Sequence, residues 1–262
     1  MRIATWNVNS IRARHERVLD WLDRSQTDVL AMQEIKCKPD QFPLEAFTDA
    51  GYEVAIHGLN QWNGVAIASR VGLTDVTTQF PEQPAFGKPD TDPIVEARAL
   101  GAVCGGIQVW SLYVPNGRGL EDPHYAYKLE FLGRLADAAR TWAAHPTALM
   151  GDWNVAPLPT DIWSEADSEA PTHVTAEARD AFTSFEAAGY EELSRRFLPA
   201  PQTYTFWDYQ QLRFPRAEGM RIDFVYASDS LAARAVGAQI VRDERKGKGA
   251  SDHVPVVVDL TE

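Results

Sequence analysis

Near its C-terminal end the chain carries Asp252-His253 just ahead of an apolar run over 254–260. Successive residues of a strand point to opposite faces, so an acid and an imidazole side by side are poorly placed to share a core. They fit better at the mouth of a strand, where a turn can aim both at one target. The same placement recurs along the sequence. Asn7 and Asn9 end one apolar run, Gln33 and Glu34 end another with Lys36 close behind, and Tyr113 and Asn116 end a third. Gly151-Asp152-Trp153-Asn154 follows Ala148-Leu149-Met150, and Asp223 opens Phe224-Val225-Tyr226. Acids, amides, one tyrosine and one histidine at strand ends are the parts from which loops on a rigid scaffold build a site.

The donors in that set are oxygens apart from one imidazole. A site with few carboxylates suits Mg²⁺ or Mn²⁺, which keep several waters and take further ligands from a substrate phosphate. The set holds no cysteine, and His253 lacks the companions of a tetrahedral zinc site. The chemistry expected is metal-assisted attack on a phosphate ester. Taken singly, each residue has a plainer role open to it. Asp152 and Asn154 could hold a tight turn, Glu34 could be an ordinary strand-end acid, and Tyr113 could be packing. Asp223 could pair with Arg221 at the surface, Asp252 could cap a turn, and His253 could be a hydrogen-bonded core residue.

These residues need strands to carry them, and short apolar runs supply them. Strands are expected over 3–8, 28–33, 53–57, 65–68, 95–100, 107–114, 147–150, 222–226, 235–241 and 254–260. Helical spacing of apolar residues predicts helices over 12–24, 43–50, 124–144 and 176–188. Asn63-Gly64 reads as a tight turn, and 81–93 and 156–171 as loops. Neither loop shows the composition shift of a domain boundary, so residues 1–262 are expected to form one domain. This many strands fit two mixed sheets packed face to face, with helices on the outer faces.

Composition bounds the rest. Apolar content of 45% with eight tryptophans indicates a well-filled core. The first residues lack the layout of a secretory signal, and no apolar stretch nears the roughly 20 residues of a membrane span. Cys37 and Cys104 give no disulfide framework, so a reducing cytoplasmic setting is expected. The formal charge of −12 argues against nonspecific coating of a long polyanion. It leaves room for an enzyme that gathers cations on one rim.

In order, TWNVNSIRAR, VLAMQEIKC, GVAI, SLYVPNG, MGDWNVAP, TFWDY, RIDFVYAS and SDHVPV run from Thr5 to Val256. Together they resemble the exonuclease III family of abasic-site endonucleases, within the endonuclease/exonuclease/phosphatase superfamily. GDWN with SDH is typical of the superfamily; QEIKC, TFWDY and Arg-Ile-Asp narrow the likeness to the abasic-site branch. The resemblance implies an α/β four-layer sandwich. It implies that Glu34 holds a divalent metal, Mg²⁺ with Mn²⁺ as a substitute, with Asn9 and Asp252 close by. Asp152 would position or deprotonate the attacking water and Asn154 fix its geometry. His253, held by Asp223, would donate to the phosphate oxygen that gains charge, Asn7 would orient that network, and Tyr113 would contact the phosphate or leaving oxygen. Lys36 would steady a carboxylate and add positive charge.

The same resemblance implies a substrate. Phe206, Met220 and Ile222, with Trp207 and Arg221 beside them, would surround a small apolar pocket that accepts a flipped sugar without its base; alternatively these are ordinary core. Arg12, Arg14, Arg17, Lys36, Lys38, Arg118, Lys128, Arg213, Arg216, Arg221, Arg242, Arg245, Lys246 and Lys248 could form a cationic rim or a solvated mixed surface. The expectation is a DNA-repair phosphodiesterase of base excision repair. It would act as a monomer on double-stranded DNA, cutting 5′ to abasic sites and trimming blocked 3′ ends as a 3′–5′ exonuclease. The alternatives are an unspecific DNase, an inositol or lipid phosphatase, or a DNA-damage binding protein without catalysis. Two departures from the family stand out: Ser10 replaces a common glycine after Asn9, and the acidic, proline-marked segment 157–177 matches no function.

Overall fold

The computed structural model describes residues 1–87, 91–166 and 170–261. In chain order, β1 (Arg2–Asn7), α1 (Ile11–Ser25), β2 (Val29–Gln33), α2 (Leu44–Asp49), β3 (Glu53–His57) and β4 (Val65–Ser69) begin the first sheet. The second follows with β5 (Thr74–Thr77), β6 (Ala99–Cys104), β7 (Ile107–Tyr113), α3 (Pro123–Trp142), β8 (Thr147–Asp152), α4 (Ala176–Ala187), β9 (Tyr190–Glu192), α5 (Leu193–Phe197) and β10 (Asp223–Ser228). After α6 (Asp229–Ala232), β11 (Ala235–Ile240) and β12 (Val256–Leu260) return to the first sheet. The strand orders are β11-β12-β1-β2-β4-β3 and β5-β6-β7-β8-β10-β9. Each sheet has one parallel pair, β1 with β2 and β7 with β8, joined by α1 and α3, and is otherwise antiparallel.

Period-two alternation explains the layers. Ile3 of β1, Val29 and Ala31 of β2, Val109 of β7, Ala148 and Met150 of β8 and Val225 of β10 face one another in a single inner core. The residues between them face outward. Ala4, Trp6, Leu30 and Met32 lie under α1 and α2, against Val18, Trp21 and Phe47. Trp110, Leu112, Phe224 and Tyr226 lie under α3 and α4, against Phe131, Leu135, Phe182 and Phe185. Each such large side chain, taken fully out of water, contributes about 1.5–3 kcal/mol. The two sheets with helices outside are the mixed four-layer sandwich expected.

The structure corrects several local expectations. The strand placed at 95–100 runs instead over Ala99–Cys104, because Gly105 and Gly106, both at positive φ (56° and 80°), close a hairpin into β7. Asn63-Gly64 is not a two-residue turn: β3 stops at His57 and β4 starts at Val65. Strands β5 and β9 were not expected. Both pair at sheet edges, and every residue of β5 is exposed, so neither carries an apolar run to read. Helices α5 and α6 are equally short and were missed too. Of the two expected loops, 88–90 and 167–169 lie outside the described residues, as does that part of the segment 157–177.

Candidate active site

The inward rows change from apolar to polar at one end of the sandwich. A first polar layer lies between the sheets: Thr5 Oγ1 donates to Gln33 Oε1 (3.1 Å), Gln33 Nε2 to Ser111 Oγ (3.0 Å), and Ser111 Oγ to the Met32 carbonyl (2.9 Å). Asn7, Tyr113, Asp152 and Asp223 cap their strands just beyond it. Asn7 is level with Gln33, and Asp152 is level with both Tyr113 and Asp223. The loops that follow bend sharply. Asn9, Ser10, Glu34, Lys36 and Asn154 all have positive φ, 44° to 86°, a backbone that non-glycine residues adopt at a cost and that gathers at functional sites. Ser10, at φ 86°, sits where glycine would be relaxed.

The polar side chains interlock. Asn7 Nδ2 donates to Glu34 Oε1 (2.8 Å) and to Asp152 Oδ2 (3.0 Å), tying the two sheets together. The backbone N–H of Asn154 donates to Asp152 Oδ1 (3.0 Å). Its side-chain amide is locked, with Nδ2 on the Val114 carbonyl (2.8 Å) and Oδ1 2.9 Å from His173 Nε2. His253 Nδ1 lies 2.8 Å from Asp223 Oδ2, which also accepts from Thr205 Oγ1 (2.6 Å). His253 Nε2 faces Asp152 Oδ2 at 3.8 Å.

Charges follow from this geometry. Burial alone would lower the His253 imidazole, but the Asp223 and Asp152 carboxylates overcome it and raise its pKa, favouring the imidazolium. Burial raises the Asp152 carboxyl, with the His253 cation working against it. Burial also works to raise Glu34, but the Lys36 charge and hydrogen bond, with Asn7, hold it below the ordinary range. The Tyr113 hydroxyl is pushed well up by burial and by Glu34, so it stays a donor; the Arg98 guanidinium lies 4.7 Å from its ring.

Glu34, Asp152 and His253 each bring a ligand-type atom within 4.8 Å of the others; with His253 held as the imidazolium, the carboxylates are the members of this group able to hold a metal ion. Glu34 Oε2 and Asn9 Oδ1 already converge on a cation, the Lys36 ammonium, at 2.7 and 2.5 Å. Asn9 Nδ2 reaches Asp252 Oδ1 at 3.1 Å. These oxygens fit the hard, oxygen-liganded ion expected there.

Beside them opens a cleft of about 310 Å³ lined by Phe206, Met220 and Ile222 along with Asp152, Tyr113 and His253. The Phe206 ring lies 4.8 Å from that of His253. Trp207 and Arg221 are not brought to it, which corrects their assignment. Alternation on extended backbone turns each away from its neighbours. Trp207 is buried against Tyr204, Val254 and Phe214. Arg221, fully buried, donates to the Leu198 carbonyl (2.9 Å) and Ser194 Oγ (2.8 Å). Asp223 likewise is no surface partner of Arg221, being fully buried. Lys128, expected on the rim, is buried. Thr205 and His173 were not expected at all. Thr205 stands one residue before Phe206 and could have been noticed; His173 lies in the aperiodic segment 157–177 and gave no signal.

A two-sheet sandwich with acids, amides and a charged histidine gathered at one mouth is the arrangement of a phosphoester hydrolase. The chain belongs to the Endonuclease/Exonuclease/phosphatase family, whose model matches residues 4–253. An AP endonuclease from Archaeoglobus fulgidus is similar along its whole length, with TM-score 0.91 and 34% identity, each chain covered in full. A 3′ phosphatase from Neisseria, solved with a product DNA hairpin, gives TM-score 0.92 and 30% identity with both chains again covered in full. Exodeoxyribonuclease III of Haemophilus influenzae is 27% identical over 271 residues, 98% of each chain.

Proposed function

We propose that this protein is a Mg²⁺-dependent DNA-repair phosphodiesterase that cuts the backbone 5′ to abasic sites and trims 3′ ends as a 3′–5′ exonuclease. The observation that carries this reading is the apolar wall of Phe206, Met220 and Ile222 set directly against His253 and Asp152. A base-less sugar would lie on that wall while its phosphate meets the polar floor. The relatives named as an AP endonuclease, a 3′ phosphatase and an exodeoxyribonuclease support the same substrate class.

Glu34, with Asn9 and Asp252, would hold Mg²⁺, which when bound offsets phosphate charge. The chain's own groups then divide the work. Asp152, its carboxyl raised by burial, takes the proton of the attacking water as the new P–O bond forms. The Asn7 amide and the Asn154 N–H fix its two oxygens. The His253 imidazolium donates to the non-bridging oxygen on which charge builds. The P–O bond to the 3′ oxygen breaks, and Tyr113, held protonated, stands by to donate to that oxygen. The His253 imidazolium and the Lys36 ammonium offset part of the negative charge of the acids around them.

The test is a labelled duplex carrying one abasic-site analogue, incubated with Mg²⁺ beside an undamaged duplex and an Asp152→Asn control. Cutting 5′ to the lesion is expected, lost with chelator and reduced by about 10³-fold or more in the control. No cutting of that duplex, with hydrolysis of an inositol or lipid phosphate instead, would refute the DNA-repair reading.

A further inference from the structure

One charged side chain beneath the site is unaccounted for by that chemistry. Lys128, on α3, is fully buried and makes no ion pair among the described residues. Its Nζ donates instead to three backbone carbonyls: Asn154 at 2.6 Å, Thr172 at 2.8 Å and Asn116 at 3.4 Å. Sequestering an ammonium with no carboxylate partner is expensive. Burial accordingly pushes Lys128 down to about 7, with only the Asp152 charge acting against it. Apart from His124 one turn earlier, the face of α3 around it is apolar, with Tyr127, Phe131, Leu132 and Leu135 all buried, and a methionine or leucine would fill the same volume without that cost. A buried charge kept where a hydrophobe would serve asks for a functional reason.

The three carbonyls supply one. They belong to separate segments, the loops after β7 and β8 and a short 3₁₀ turn over Pro171–His173. Each segment delivers a residue to the catalytic cleft, namely Asn116, Asn154 and His173. Thr172 Oγ1 adds a cross-tie to the Asn116 carbonyl at 2.5 Å. The tie reaches the chemistry through Asn154, whose N–H fixes Asp152 Oδ1 and whose amide is clamped between Val114 and His173. We propose that Lys128 is a positioning residue: its ammonium draws three loops together so that Asn154 holds the Asp152 carboxylate aimed at the attacking water. This assignment rests on the phosphodiesterase reading for its chemistry, and on the hydrogen bonds alone for its geometry.

Two variants test it, Lys128→Met, which keeps the volume and loses the donors, and Lys128→Arg, which keeps charge and donors. Since a displacement of about 1 Å costs roughly 10²-fold in rate, Lys128→Met should lower kcat by about that factor with KM within about threefold, and Lys128→Arg should recover most of the loss. A second readout needs no substrate. The side-chain NH₂ pair of Asn154, assigned in ¹H–¹⁵N spectra by its loss in Asn154→Asp, should be protected from exchange in the wild type and Lys128→Arg, and broadened in Lys128→Met. An unchanged Asn154 signal in Lys128→Met overturns the proposal even if the protein cuts no abasic DNA. So do a change in KM alone and equal losses in the two variants. Should Lys128→Met fail to fold, Lys128→Gln replaces it in the same comparison, with the same outcomes decisive.

Discussion

At the scale of single residues, the site is a chain of orientation rather than a set of independent groups. Under the proposed mechanism Asp223 would act through His253: its carboxylate lies 2.8 Å from Nδ1, with Nε2 turned toward Asp152. Asp223→Ala is therefore expected to lower kcat by about 10²-fold or more, and the double variant with His253→Ala should be no slower than His253→Ala alone within about threefold. Steady-state rates of the four proteins check this; additive losses would mean that Asp223 acts on something else. Most of these residues were legible because period-two alternation puts a strand's last inward side chain at the sandwich mouth. The same rule, applied more strictly, would have removed Trp207 and Arg221, which alternate with Phe206, Met220 and Ile222 and so face the other way. Lys128 was misread for a different reason: lysine is so rarely buried that an exposed rim is the natural expectation. His173 comes from a segment with no periodicity, where its contact with Asn154 exists only in three dimensions.

At the scale of elements, the central strands were readable and the edges were not. Strands β1, β2, β4, β7, β8 and β10 are buried on both faces and read as apolar runs. Exposed β5 and three-residue β9, of which only Tyr190 is buried, owe their conformation largely to a neighbour's hydrogen bonds. The close approach of β7 and β8 also has a sequence cause. A Cβ at Gly151 would lie 1.9 Å from the Leu112 carbonyl oxygen, so the parallel pair carrying Tyr113 and Asp152 needs hydrogen at that position. Gly151→Ala should force the strands apart and destabilise the fold by roughly 2–4 kcal/mol, in the range of backbone strain and overpacking. Denaturant melting checks this; a stability within about 0.5 kcal/mol of the wild type would show that the strands can shift freely.

At the scale of the whole molecule, a net charge of −12 must be reconciled with a polyanionic substrate. Several expected rim cations are engaged in holding loops. Arg14 reaches Tyr209 Oη (3.0 Å) and the Ala250 carbonyl, Arg17 the Glu244 and Lys246 carbonyls, and Arg245 the Trp207 carbonyl. Arg12, Lys38, Arg118, Arg216 and Lys248 remain exposed. If about four of these meet phosphates, log K for duplex binding should fall with log salt at a slope near −3.6. Fluorescence anisotropy in chelator at several salt concentrations measures it; a slope shallower than about −1 would mean that the rim contributes nothing.

The strand order has one more consequence. The last strand, β12, lies between β11 and the first strand, β1, with Asp259 opposite Arg2. The site borrows Asn7 and Glu34 from the beginning of the chain and Asp252 and His253 from its closing turn. On a ribosome, therefore, Asn7 and Glu34 emerge early, while the Asp252-His253 turn is still to be translated. A stalled or truncated chain ending before Asp252 would lack His253 as well as β12 and leave β1 without a neighbour on one side. Neither half of the sequence holds the whole constellation, so the site exists only once both β1 and the turn before β12 are folded together.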